Sequence, residues 1–146
     1  MSSSDSLARS RYAQLRTYRR DGTPVDTPIW FHLDGNGLVF RTKIGPKTTR
    51  VAAHPEVELR PCDYKGQVAG DVPWVSGVAR VLGGSEAQRA NDGLRHRYGW
   101  QYNVIPLVKV PGVTNVHSGL SLREKMRRAR ARDVWPDSAI VHVDLD

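Results

Sequence analysis

The chain holds a single cysteine in 146 residues, Cys62, so no intrachain disulfide can form and the reducing cytoplasm is the expected compartment. Long apolar runs are missing as well. Every extended stretch is broken by charge, glycine or proline within about eight residues, where a bilayer span needs roughly 20, and no membrane partner is expected. The opening MSSSDSLARSRYAQ lacks the apolar core of a secretory signal. His32, His54, His96, His117 and His142 show neither HExxH nor paired His and Cys spacing, so no metal site is predicted. Ser118, Ser121 and Asp133 stand near histidine in sequence, but no G-x-S-x-G elbow supports hydrolase chemistry. Internal repeats are absent. Acidic residues are the scarcer charge, 15 against 22 basic, and the net charge of +7 predicts attraction to an anion without naming it. Nucleic acid, an anionic cofactor and acidic lipid all fit that charge.

The chain is long enough for one domain with a real core and too short for two, so residues 1–146 are read as one unit behind a polar, flexible tail over 1–11. Tyr12 to Arg19 reads as a strand, and Asp21-Gly22 turns it into a second over Val25 to Leu33. Asp34-Gly35-Asn36-Gly37 is a turn of the same chemistry, returning a third strand over Leu38 to Thr42. A helix from Pro46 to Ala53 ends before Pro55, and Val57 to Cys62 makes strand four. Strand five, Trp74 to Leu82, mixes apolar residues on both of its faces and is expected to lie centrally. Ser85 with Gln88 reads as a capping box opening a helix with an Ala87, Ala90, Leu94, Tyr98 stripe. Gln101 to Gly119, with Pro106 and Pro111, reads as a long excursion. Ser121 to Asp133 is a basic helix with Leu122, Met126 and Ala129 on one face, and Ala139 to Leu145 alternates as strand six. Six short, mostly antiparallel strands with few helices make a mainly β protein, and closing them into a barrel leaves no long edge exposed.

Within that frame Gly37 to Asp63 carries the chemistry. A strand delivers Arg41 and Thr42, and Gly45-Pro46 then opens a helix bearing Lys47, Thr48 and Arg50. A helix start with proline at its first position attracts anions, and lysine and arginine add full charges beside its exposed N–H groups. A phosphorylated ligand is the leading reading over a merely solvated basic surface. Trp30 and Trp74 either fill the core or meet a ring, and residue type alone does not choose. Cys62 has no histidine or helix start beside it, which makes it a small buried hydrophobe rather than a nucleophile.

The run YAQLRTYRRDGTPVDTPIWFHLDGNGLVFRT, then PKTTRVAAHPEVELRPCDYKG, VSGVARVL and RHRYGWQY resembles the split-barrel oxidoreductases that bind flavin or deazaflavin and are related to pyridoxamine-phosphate oxidase. It is most similar to small actinobacterial enzymes described as F420-dependent, over about Tyr12 to Tyr102. The resemblance implies an FMN-binding type of six-stranded antiparallel split β-barrel, paired as a homodimer with the cofactor in a groove at the subunit interface. It places Arg41, Thr42, Lys47, Thr48 and Arg50 on the phosphate side, Thr27, Pro28, Ile29 and Trp30 along the ring, and Pro61 and Cys62 on the neighbouring strand. Coenzyme F420 is the expected cofactor, with FMN the alternative, and the expected reaction is hydride transfer to an unsaturated small molecule. No catalytic side chain is named, because the cofactor carries the reaction. A carrier of deazaflavin, flavin or haem is the non-catalytic alternative. The chain departs from the pattern across Leu107 to Val134, within an excursion over 103–134, so its basic helix is an elaboration that covers the cofactor, meets an acidic partner or holds the dimer. Nucleic-acid binding ranks below these, since no aromatic residues interleave the basic helix for base stacking.

Overall fold

The computed structural model describes residues 4–68, 70–108 and 119–145, and Pro111, His117 and Ser118 lie outside them. Strands β1 (Tyr12–Tyr18), β2 (Pro24–Asp34) and β3 (Gly37–Lys43) form a meander whose first turn holds Gly22 at φ 89° and whose second holds Gly35 at φ 62°. Those angles are why Asp-Gly and Gly-Asn-Gly stand there. With β4 (Glu56–Cys62), β5 (Val75–Leu82) and β6 (Ser138–Leu145) the strands close in the order β1-β2-β3-β6-β5-β4, every described pairing antiparallel.

Alternation along the strands builds two cores. Ala13, Leu15, Ile29, Phe31, Leu38, Phe40, Leu59, Val141 and Val143 point into the barrel. Val39 and Ile140 point outward and pack with Leu94, Tyr98 and Tyr102. Leu94 and Tyr98 belong to α3 (Gly84–Tyr98), which lies against β2, β3 and β6, and Tyr102 to α4 (Gln101–Val104). A short 3-10 turn over Ile105–Leu107 follows, so the start of the expected excursion is helical. Helix α2 (Pro46–Ala53) and a five-residue helix α1 (Ser4–Ala8) send Val51 and Leu7 into the interior core. Leu7 is fully buried within what the sequence reads as a loose tail; it is the one leucine there, and one leucine shows no periodicity.

Three readings are corrected. Strand β5 alternates over most of its length, with Val75, Gly77 and Ala79 buried and Ser76, Val78 and Arg80 exposed before Val81 and Leu82 reverse the pattern, and a closed barrel offers it no central position. Helix α3 is capped by Gly83, with no side-chain cap bond, so Ser85 and Gln88 do not form its capping box. The basic helix, α5 (Leu122–Arg130), does take Ser121 as its cap, the Glu124 N–H donating to Ser121 Oγ, yet it buries Arg128 and exposes Leu122 and Met126.

The β3–β6 crossing is tight. A Cβ on Gly37 would stand 2.5 Å from the Val143 carbonyl oxygen and 2.8 Å from His142 Cε1. Gly37→Ala is therefore expected to cost about 2–3 kcal/mol in urea unfolding, because the nearest atom is backbone and can move only with the strand. An unchanged midpoint would show that these strands part freely.

Candidate functional site

The start of α2 is organised by its own residues. The Gly45 N–H donates to Thr48 Oγ1 at 3.0 Å, and the hydroxyls of Thr48 and Thr49 return to the Gly45 carbonyl at 2.9 and 3.0 Å. Thr48 thus closes the helix start. One turn along, Arg50 Nε donates to Thr17 Oγ1 at 2.8 Å, inside the end of the barrel. Arg50 is held below the usual guanidinium range by burial and then by Arg19. Lys47, three residues earlier and so on the same helix face, is half-buried, and its ammonium is pulled down to about 8 by desolvation with Arg50 adding to the effect. No hydrogen bond or ion pair holds Lys47 among the described residues.

Thr27 adds a second unsatisfied group. It pairs with Leu15 in the β1–β2 ladder, diagonal to the Thr17–Val25 pair on the same interior face and about 7 Å away. Its Oγ1 is buried without a hydrogen-bond partner. A partly desolvated cation with no counter-ion and a buried hydroxyl with no partner both cost stability unless a ligand meets them. An anion with several acceptor oxygens fits that pair of needs.

The remaining predicted residues divide between the two faces of the wall. Ile29 and Pro61 sit on the interior side, both facing Ala13, and Thr42 follows Phe40 there by alternation. Trp30, Tyr12 and Cys62 line up across β2, β1 and β4 on the outer face. Strand β4 is thus next but one to β2, with β1 between them. Pro28 is exposed beside Gly66. Trp30 stacks obliquely on Tyr12 at 5.6 Å and on Tyr98 at 4.8 Å, forming an aromatic wall. Trp74 lies between Arg16 and Arg60, at 4.4 and 4.1 Å, on the same outer face. The Cys62 thiol is pushed up to about 11, chiefly by burial and then by Asp63, which leaves it a poor nucleophile at neutral pH.

Arg41 has a different setting. Its fork donates to Asn103 Oδ1 at 2.7 Å and to the Tyr102 carbonyl at 2.5 Å, and its plane lies 3.7 Å from the Tyr102 ring and 4.1 Å from that of Trp135. Its charged neighbours are Arg128 and Asp137, and Lys47 and Arg50 are not among them. The structure brings Lys47, Arg50 and Thr27 to one end of the barrel and seats Arg41 under α4. Sequence reasoning missed Thr17, which holds Arg50, and Arg19, whose like charge bears on it. The strand alternation of Tyr12 to Tyr18, which turns Thr17 inward, was the signal for the first of them.

No protein-family model matches the chain, and no curated protein does. Solved structures do match. A heme storage protein from Vibrio cholerae superimposes with a TM-score of 0.61 at 11% identity, over 97% of this chain and 86% of the other. A pyridoxamine 5'-phosphate oxidase-related, FMN-binding protein from Nostoc punctiforme gives 0.56 at 19% identity, over 98% and 75%. An F420 reductase gives 0.51 at 19%, over 98% and 92%. This chain has the split-barrel fold. These identities carry the fold alone, and that fold is shared by proteins named for FMN, F420 and heme. Among the described residues no helix is long and apolar enough to cross a membrane.

Proposed function

We propose that the protein is an oxidoreductase that holds a phosphorylated ring cofactor, coenzyme F420 or alternatively FMN, and directs hydride to an unsaturated small organic substrate. The observation that carries this reading is Lys47, a half-buried ammonium with no anionic partner among the described residues, its pKa drawn down to about 8, one helical turn from Arg50. In this reading Lys47 and the free end of the Arg50 fork take phosphate oxygens, and the orphaned Thr27 hydroxyl takes a further acceptor. The cofactor supplies the hydride, so no acid–base pair of this chain is required. The outer face of β1 and β4, with Tyr12, Gln14, Arg16, Arg60 and Cys62 only half-buried, is where a second copy would close the groove as a homodimer.

Titration of the purified protein with F420 and with FMN, followed by ligand fluorescence, tests the assignment. Lys47 makes the outcome depend on pH in a way that a solvated basic surface would not reproduce. Below about 8 the folded chain keeps this ammonium charged and unpaired. As pH rises from there towards its ordinary 10.5, the folded state gives up the proton before the unfolded chain does, so cofactor-free stability rises. Anion affinity runs the other way. We expect cofactor affinity to fall several-fold between about pH 7 and 9 while the melting temperature of the free protein climbs, with Lys47→Arg removing the pH dependence of affinity. Affinity flat across that window would separate Lys47 from the ligand. A non-catalytic carrier is the second reading, favoured by the fold shared with a heme storage protein. Tight cofactor binding without oxidation of the reduced form by any acceptor would select it.

A further inference from the structure

Helix α5 is rotated against its own amphipathicity. Arg128 is only 8% exposed, its Nε on Glu124, its Nη1 on Asp137 at 2.7 Å and its carbonyl accepting from the Trp135 indole. That anchoring sends Leu122, 74% exposed, and Met126, 48% exposed, to solvent at i and i+4. With Ala131 they form the floor of an open groove walled by Arg123, Arg127 and Arg130. The helix carries five basic residues and one acidic one, and Glu124 is already bonded to Arg127 and Arg128. Arg123, Lys125 and Arg130 make no ion pair among the described residues.

We propose that this groove docks an acidic amphipathic segment of another protein, a helix that lays apolar side chains at i and i+4 on Leu122 and Met126 and aims carboxylates at Arg123 and Arg130. Four of the five cations are arginine, whose planar fork matches a carboxylate in a way that the point charge of lysine does not. An apolar stripe one side chain wide with charged walls is the helix-in-groove pattern. A second copy of this chain, itself at +7, meets the groove with like charge. An anionic bilayer would be held by two apolar side chains on a nine-residue helix whose other face is locked, which is too little buried area for stable anchoring. Duplex DNA would set its phosphates against Leu122 and Met126 and desolvate them for no gain. The proposal is independent of what the barrel binds.

The test uses the full chain and a fluorescein-labelled synthetic helical peptide bearing leucine at i, i+4 and i+7 between flanking glutamates, read by anisotropy. We expect saturable binding that weakens with salt and falls about tenfold or more for Leu122→Ser with Met126→Ser, and separately for Arg123→Glu with Arg130→Glu. All four side chains are exposed, so circular dichroism and melting should match the parent. Absence of saturable binding overturns the proposal. So does equal binding of a control peptide with serine for leucine, or tighter binding through these residues to phosphatidylglycerol vesicles or to duplex DNA.

Discussion

Replacing both Lys47 and Arg50 with alanine is expected to weaken cofactor binding roughly 100- to 1,000-fold, since two charge-assisted hydrogen bonds at about 1.5–2 kcal/mol each are lost together. The free protein should not suffer in proportion. Lys47 is partly desolvated without a partner, and removing a cation of that kind relieves a penalty rather than breaking a contact. Lys47→Met alone is therefore expected to raise the melting temperature of the cofactor-free protein while lowering its affinity. Arg50→Ala gives up the bond to Thr17 Oγ1, worth about 1 kcal/mol, and offsets part of that gain in the double variant. Opposite signs for affinity and stability are the signature of a site kept for a ligand. If Lys47→Met lowered both together, its ammonium would be serving the fold, and the phosphate assignment would fall with it.

The strand order was legible because each local signal agreed with the closed barrel: Asp-Gly and Gly-Asn-Gly fix two hairpins, and Pro46 with Pro55 bounds α2 at the residues observed. Long-range pairing was less so. Nothing in the run of Ala13 to Thr17 says that its other neighbour is β4, which follows two strands and a helix later, so Pro61 and Cys62 could be tied to β2 only by resemblance and in fact stand one strand further off. The helix faces failed for another reason. A stripe of Leu122, Met126 and Ala129 predicts the buried side when apolar area alone decides, but Glu124, Asp137 and Trp135 together satisfy Arg128 and make it the inward residue. Paired, hydrogen-bonded charge can outweigh two apolar side chains, and two of the three partners that make it so lie seven and nine residues on, past the end of the helix. Within the site, the partial burial of Lys47 was invisible for the same reason, since it depends on how α2 meets the barrel end.

Arg41 gives the sharper trial of how far the motif match reaches. In the structure its guanidinium satisfies Asn103 Oδ1 and the Tyr102 carbonyl while lying between the Tyr102 and Trp135 rings. Asn103 in turn donates to the Ala131 carbonyl and Tyr102 to Asn91 Oδ1, so one planar cation ties β3, α4, α3 and the end of α5 together. Arg41→Met is expected to cost about 2–4 kcal/mol in urea unfolding of the cofactor-free protein, from two acceptors left buried and a lost stack that the thioether only partly refills. Arg41→Lys should recover less than half, because an ammonium cannot reach both acceptors and stack at once. Tryptophan fluorescence should report the change through Trp135, which is 2% exposed. Cofactor affinity of Arg41→Lys, measured where the variant is still folded, should change less than tenfold. The opposite pattern, with stability retained and affinity lost, would return Arg41 to the phosphate beside Lys47 and Arg50 and would mean that the fork leaves Asn103 when ligand binds.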